Sequence, residues 1–459
     1  MIFGLASLLA LGCLGQPAPD RMWTDEIVYV VYVDRFFNGD PGNDIMARRY
    51  GKDRARYEGG FWGGDLAGVV QKLDNLDALG VTTLLLYPVV ANDEHPFGKY
   101  LPTGYRPRDY GKVDPNFGTF ELLRHLVDEA HARGIKVLLD MPLSLPGVEN
   151  PTYNDPARRD WFGAMSPYGV RQWNAAKPEV ADFLINVARD WKTRSGCDGF
   201  RLDSAHLLPE PFWTRFAREV KAGGDFVLLA EYVEPPRKIG PFLRATGFDS
   251  AYDFGFSAVR DLAGQGRPVG QLAFVTEEAQ QFYPRPRAMA AQVDTYEVVE
   301  FARVAREPIL DRFRLALTAL LTIDRVPLLY SGCERALTDR EVGVLFREPP
   351  ANPEFERFVR RLIALRRRTP ALRRGAFERI VSEETLFAFT RTLGKSTLLI
   401  ALNTGDRAQP LRATLGDAAW KDLELWDAFD GRVAKPAGDD HALAVAPITA
   451  RVFEVRPRP

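Results

Sequence analysis

Apolar residues along this chain follow two rhythms. From about residue 27 to 331, short runs rich in β-branched and aromatic residues alternate with stretches whose apolar positions recur every three to four residues. Ile27-Val-Tyr-Val-Val-Tyr-Val33 is the first run, Val81-Thr-Thr-Leu-Leu-Leu-Tyr87 the second and Ile135-Lys-Val-Leu-Leu139 the third. The intervening stretches carry Val69, Val70, Leu73 and Leu76, then Leu122, Leu123, Leu126 and Val127, on single helical faces. Phe200–Leu202, Phe226–Ala230, Phe248–Phe254, Ala288–Val293 and Val326–Leu329 supply five further strands. Eight strands with helices between them, over about 300 residues, predict an α/β chain folded as a (β/α)8 TIM barrel.

The rhythm breaks twice. Between the third and fourth runs, residues 141–178 hold six prolines and several Gly and Asn, so a short insertion (a small domain B) is expected on the catalytic face. After Arg366-Arg367-Arg368-Thr369-Pro370 the pattern becomes short alternating strands, among them Thr397–Leu402 and Ala450–Val455. That pattern predicts a C-terminal antiparallel β-sandwich. The expected layout is a leader over 1–20, a catalytic barrel over 21–374 and a β domain over 375–459.

Composition changes this picture little. The chain has 459 residues, 46% hydrophobic and 26% charged, as in an ordinary soluble protein. Lys plus Arg is 60 and Asp plus Glu 61, a net charge of -1 that gives no electrostatic case for nucleic acid. Residues 1–15 are apolar, lack acids and precede Pro17 and Pro19, as a secretory leader does, although its usual positive start is missing. Ala10-Leu11-Gly12-Cys13 loosely resembles a lipobox, with Cys13 as lipid acceptor. The expectation is therefore export to a periplasmic or extracellular location, with membrane contact only through a lipid at Cys13. Cys197 and Cys333 have no metal-ligand spacing and read as buried structural thiols.

The chemistry gathers at strand ends. Gly199-Phe-Arg-Leu-Asp203 places Arg201 and Asp203 two apart, on one face, where the fourth strand reaches the barrel mouth. A guanidinium there is expected to keep Asp203 ionised, as a nucleophile requires. Val227-Leu-Leu-Ala-Glu231 ends the next strand in a carboxyl whose desolvation suits a general acid. Gln292-Val-Asp294 ends the seventh strand in a third. One such rim charge would read as a structural ion pair; three at equivalent ends converge on one pocket. Retaining glycosidases use two carboxyls about 5–5.5 Å apart, and facing strands across a barrel mouth can hold that spacing rigidly.

At this point the sequence resembles a known family. Tyr32-Val-Asp-Arg-Phe-Phe-Asn-Gly-Asp40, Gly63-Gly-Asp-Leu-Ala-Gly68 and Gly104-Tyr105 through Asp109-Tyr110 resemble successive blocks of the α-amylase family, glycoside hydrolase family 13. So do Val113-Asp-Pro-Asn-Phe-Gly-Thr119, Gly199–Asp203 and Pro327-Leu-Leu-Tyr-Ser-Gly-Cys-Glu334. The likeness is greatest to members acting on cyclodextrins and pullulan. It implies an α-glucan oligosaccharide or polysaccharide substrate and a covalent glycosyl-enzyme intermediate. Asp203 would be the nucleophile, Glu231 the acid/base, and Asp294 the carboxyl holding sugar hydroxyls. Arg201 would orient Asp203, Tyr105 would stack beneath the sugar, and Asp140 would be the structural carboxylate ending the third strand.

The departures from the family are informative. A sugar-contacting His is usual where this chain has Leu145, and another where it has Val293. Losing both contacts could cost several kcal/mol of transition-state binding. His206, just past the nucleophile, is a candidate substitute ligand. Hydrolysis, transglycosylation and sugar binding without turnover all remain open readings. Asn38, Asp40, Asn43 and Asp44, with Asp65 downstream, are hard oxygen donors suited to a structural Ca²⁺. The resemblance adds the Gly63 carbonyl to that set.

Overall fold

The computed structural model describes residues 21–50, 61–96, 104–294, 301, 305–337, 343–346, 348–412, 423–434 and 442–458. The expected leader, with Cys13, lies outside them. Among the described residues, no helix is long and apolar enough to cross a membrane.

Eight parallel strands form the barrel: β1 Val28–Val31, β2 Thr83–Leu86, β3 Lys136–Met141, β4 Gly199–Leu202, β5 Val227–Ala230, β6 Ser250–Ala251, β7 Ala290–Ala291 and β8 Val326–Tyr330. Their hydrogen-bonded order is β6-β5-β4-β3-β2-β1-β8-β7, and a single parallel bridge between Tyr252 and Ala290 closes the ring. The period-2 alternation of strands sorts the side chains into two cores. Val28, Val30, Leu85, Leu138, Leu229, Ala290, Val326 and Leu328 fill the interior. Their neighbours Tyr29, Val31, Leu84, Leu86, Val137 and Leu139 pack outward under the helices. Two strands are shorter than the sequence runs suggest. Past Ala251 the chain turns into a 3-10 helix, Phe254–Ser257, and only the Tyr252–Ala290 bridge continues the ladder.

The helices carry the end signals that their sequences supply. Thr119 accepts the Leu122 N–H at 3.2 Å to cap helix Phe120–Ala132. Gly196 stops helix Pro178–Ser195 in the left-handed conformation, with φ at 71°. The segment after β3 holds one short hairpin, Phe162–Met165 with Arg171–Trp173.

The C-terminal region is a six-stranded antiparallel sheet facing a two-stranded pair, Gln409–Leu411 with Leu443–Val445. Leu399, Ala401 and Phe453 of the sheet meet Leu411, Leu443 and Val445 of the pair in one buried cluster, which makes the two layers a small sandwich. Two buried arginines lie at this junction: Arg391, on the C-terminal sheet, reaches into the barrel, and Arg366, on the last barrel helix, holds the neighbouring barrel carbonyls. Arg366 donates to the Leu321 and Arg325 carbonyls at 2.9 and 2.7 Å. Arg391 donates to those of Thr322 and Gly375 at 2.7 and 3.2 Å. Leu321 and Thr322 end helix Ile309–Thr322, whose last carbonyls lack intrahelical partners and carry the negative end of the helix dipole.

Candidate active site

The alternation that fills the barrel's lower interior with apolar groups lifts polar ones into its mouth. Leu138 points inward, so Asp140 two residues on does too; Leu229 likewise leads to Glu231. Asp140 pairs in register with Arg201, and Arg201 with Leu229, which puts the guanidinium between the two carboxyl-bearing strands.

Arg201, 1% exposed, is the hub. Its Nη1 donates to Asp140 Oδ1 and Oδ2 at 2.9 and 2.8 Å and to Asp203 Oδ1 at 2.8 Å. Its Nη2 lies 2.9 Å from Glu231 Oε1. The Tyr105 hydroxyl donates to Asp140 Oδ2 at 2.8 Å, and the rings of Tyr105 and Tyr252 flank the guanidinium at 5.7 and 5.6 Å. The Ser204 N–H donates to Glu231 Oε2 at 2.8 Å, aimed there by a left-handed backbone with φ at 46°. Asp294 is buried at the end of β7's run, and its Oδ1 accepts the Phe301 N–H at 3.2 Å.

The electrostatics differ from the simple expectation for Asp203. Burial, repulsion from Glu231 and a hydrogen bond between the two carboxyls push Asp203 well above the usual carboxylate range, and Arg201 offsets only part of this. Asp203 therefore holds its proton more tightly than a free carboxyl does. Burial also raises Asp140 to about 7 despite its contacts with Arg201 and Tyr105. His206 stands beside Glu231 and Glu234; burial lowers its pKa, so the ring stays neutral. Its Nδ1 is buried without a hydrogen-bond partner, and its ring meets Tyr232 edge-on at 6.3 Å.

The sequence reading thus located the carboxyls but missed groups that only tertiary contact reveals. These are the Ser204 N–H, the Tyr252 ring and Ser144, whose Oγ donates to the Asp203 carbonyl at 2.8 Å. Leu145 and Val293, at the positions where the family carries histidines, are both buried. Trp173 packs with Tyr110, Phe162 and Phe183, so its role is in the core.

The N-terminal loop divides its candidate ligands. Asp65 caps helix Leu66–Gln71 through the Gly68 N–H at 2.6 Å and also accepts the Gly39 and Asp40 N–H groups. Asp40 accepts the Gly42 N–H. Asn38 donates to both Asp44 oxygens at 3.0 Å, while Asn38 Oδ1 and Asn43 Oδ1 are buried with no partner. Gly63 has φ at 85°, and a Cβ there would lie 2.5 Å from Asp44 Oδ1. Among the described residues, no three His, Cys, Asp or Glu side chains form a metal cage. The fit to Ca²⁺ therefore rests on the orphaned amide oxygens beside Asp44, an oxygen set of the right hardness.

Buried carboxyls sharing one arginine at the mouth of a closed barrel supply the acid pair that a glycosidase needs. The family described as alpha amylase, catalytic domain, matches residues 30–167. Neopullulanase 2 of Thermoactinomyces vulgaris is 29% identical over 453 residues, spanning 89% of this chain and 75% of the relative. Cyclomaltodextrinase of Thermoanaerobacter pseudethanolicus is 27% identical over 422 residues, spanning 84% and 71%. Among solved structures, the Anoxybacillus α-amylase superposes with a TM-score of 0.84 and 31% identity, over 96% of this chain and 100% of that one. The Geobacillus thermoleovorans α-amylase complexed with acarbose gives 0.83 and 30%, over 96% and 100%. The chain belongs to the α-amylase family, glycoside hydrolase family 13.

Proposed function

We propose that the chain hydrolyses α-glucosidic bonds of oligo- or polysaccharides with retention of configuration. The observation that carries this reading is the direct contact between Asp203 and Glu231 on a single guanidinium. Two carboxyls held on one guanidinium from neighbouring strands suit the closely spaced pair of a retaining enzyme better than the about 6.5–9.5 Å separation of an inverting one. With a sugar seated between the two carboxyls, the reaction runs with Asp203 as carboxylate and the proton on Glu231. Asp203 attacks the anomeric carbon while Glu231 protonates the departing glycosidic oxygen. A glycosyl-Asp203 ester forms as the glycosidic C–O bond breaks. Glu231, now a carboxylate, takes a proton from water; the resulting attack releases Asp203 and restores the proton. Asp294 binds hydroxyls of the distorted ring. Arg201, itself held by Asp140, orients both reacting carboxyls directly, and Tyr105 supports the sugar. His206 is a neutral donor or acceptor on the leaving-group side. An acceptor sugar in place of water gives transglycosylation from the same intermediate. The relatives' names, neopullulanase, cyclomaltodextrinase and α-amylase, support an α-glucan donor.

The test is product analysis on maltooligosaccharides, cyclodextrins, pullulan, trehalose and sucrose, with Asp203→Asn alongside. Cleavage or glucosyl transfer with retained anomeric configuration, lost in the variant, is expected. Sugar binding without turnover on any donor would overturn the enzymatic reading in favour of a binding protein.

Two accessory readings go with it. Asn38, Asn43, Asp44 and the Gly63 carbonyl would hold a structural Ca²⁺, with Asp40 and Asp65 shaping the loop through their backbone bonds. Calcium should raise Tm in the parent, and Asn38→Ala should abolish that rise. Residues 1–20 would direct export, with Cys13 the lipid acceptor; cell fractionation and Cys13→Ser test both.

A further inference from the structure

A buried ion pair crosses β7 on the outside of the barrel. Tyr252 belongs to the interior cluster, so its neighbour Asp253 points outward; Val326 is interior too, so Arg325 points outward. β7 lies between them in the ring, with Ala290 opposite Val326 on one side and Tyr252 on the other. Arg325 Nε donates to Asp253 Oδ2 at 2.8 Å past this short strand. Asp253 Oδ1 accepts the Tyr283 hydroxyl at 3.1 Å, from the end of helix Gly270–Phe282. Arg325 is fixed in turn. Its Nη1 donates to Asp324 Oδ1 at 2.5 Å, Asp324 Oδ2 accepts from Gln280 Nε2 at 3.0 Å, and the Arg325 carbonyl accepts from Arg366 at 2.7 Å. Asp253, Asp324 and Arg325 are all buried.

The mouth is one residue away. Asp253 N–H donates to the Ala290 carbonyl at 2.8 Å, and Tyr252 N–H to the carbonyl of Ala230, the residue before Glu231, at 3.0 Å. The Tyr252 ring centre lies 5.6 Å from the guanidinium that holds Asp203 and Glu231. Apolar groups filling the same outer space would be about as stable as a buried ion pair; what a directional pair adds is a fixed geometry. We propose that Asp253 is a positioning residue for the reaction: held by Arg325 across β7, it keeps the Tyr252 ring against Arg201 and water away from the carboxyls. A ring face beside a desolvated guanidinium is attractive, and a displacement of about 1 Å in such a shell is enough to cost rate. The inference rests on the hydrolase reading above and adds to it a residue outside the pocket.

The test compares the full chain with Asp253→Asn, Arg325→Met, the double variant and Arg391→Met on maltoheptaose, at a temperature where all are folded. Asp253→Asn keeps the shape and loses the charge; the double variant removes acid and cation together and so keeps the cluster's net charge. Asp253→Asn should lower kcat/KM about 5- to 20-fold, mostly in kcat, and the double variant should be no more than about threefold worse. Water admitted beside Glu231 should also move the alkaline limb of the pH–rate profile down by about 0.5 unit. The groups around that proton, Arg201, Asp140, Asp203, Tyr105, His206 and Glu234, are untouched by these substitutions. A lower Tm with kcat and pH profile unchanged, as expected for Arg391→Met, overturns the positioning role, and so do losses that multiply in the double variant. If the parent does not turn over maltoheptaose, the hydrolase reading falls and hydrogen exchange decides the other. Faster amide exchange at residues 201–204 as well as 250–254 in Asp253→Asn then supports the positioning role; unchanged exchange at 201–204 overturns it.

Discussion

Arg201 at the barrel mouth and Arg391 beneath its floor are both wholly buried, and their surroundings are opposite. Arg201 faces three carboxyls, and their charge raises its pKa well above the ordinary value although burial opposes this. Arg391 and its neighbour Arg366 donate their hydrogen bonds to carbonyl oxygens, and the attraction of Asp324, with Asp25 for Arg366, only partly offsets their burial. Burial takes them down to about 10 and about 9, and for Arg366 repulsion from Arg391 and Arg373 adds to it. At the mouth, negative charge exceeds positive, so a proton is retained where chemistry can use it. At the floor, cations terminate a helix and bind the C-terminal sheet to the barrel. The same side chain serves reactivity where acids bond it directly and cohesion where carbonyls take its hydrogen bonds.

Substitutions can break this contrast. The largest effect belongs to Asp203→Asn, which should lower kcat by at least about 10⁴-fold while the far-ultraviolet spectrum stays the same. Arg391→Met should change kcat less than about twofold in the folded enzyme; a large rate loss there would erase the distinction between mouth and floor. Arg201→Lys should cost roughly 10²- to 10³-fold in kcat/KM, because an ammonium cannot span Asp140, Asp203 and Glu231 at once. A near-normal rate for Arg201→Lys would show that charge alone suffices. Next comes stability: Arg391→Met strips partners from the Thr322 and Gly375 carbonyls and should cost about 2–4 kcal/mol in chemical denaturation.

The smallest effect tests the sign of the mouth's electrostatics. Asp203 binds its proton more tightly folded than unfolded. Stability from that source is full below about pH 4 and is lost as pH rises through the raised folded value. Asp203→Asn removes the loss, so its Tm should exceed the parent's by about 2 °C at pH 8, with the gap closing toward pH 5. A gap that widens toward low pH would contradict the raised pKa of Asp203.

Much of the mouth was legible because period-2 alternation is a local signal. Once Leu138 and Leu229 are inward, Asp140 and Glu231 follow. What escaped depends on contact between distant segments: Ser204's left-handed backbone, Ser144 beneath Asp203 and the Tyr252 ring beside Arg201. The brevity of β6 and β7 escaped too, because apolar runs register burial and not hydrogen-bonded pairing. The floor did leave a trace. Phe355, Val359, Leu362 and Arg366 lie on one helical stripe, and Phe387, Phe389 and Arg391 on one strand face, all buried. A cation inside an apolar period marks a buried carbonyl cluster waiting for donors.

The ring's closure has a mechanical consequence. Most seams between neighbouring strands are stitched by three or four paired positions, but β6 meets β7 through Tyr252 and Ala290 alone. Thermal breathing of the cylinder concentrates where the stitching is thinnest. Tyr252 is also a ring that flanks Arg201. The most thinly paired seam of the barrel therefore runs beside the guanidinium on which its carboxyls meet.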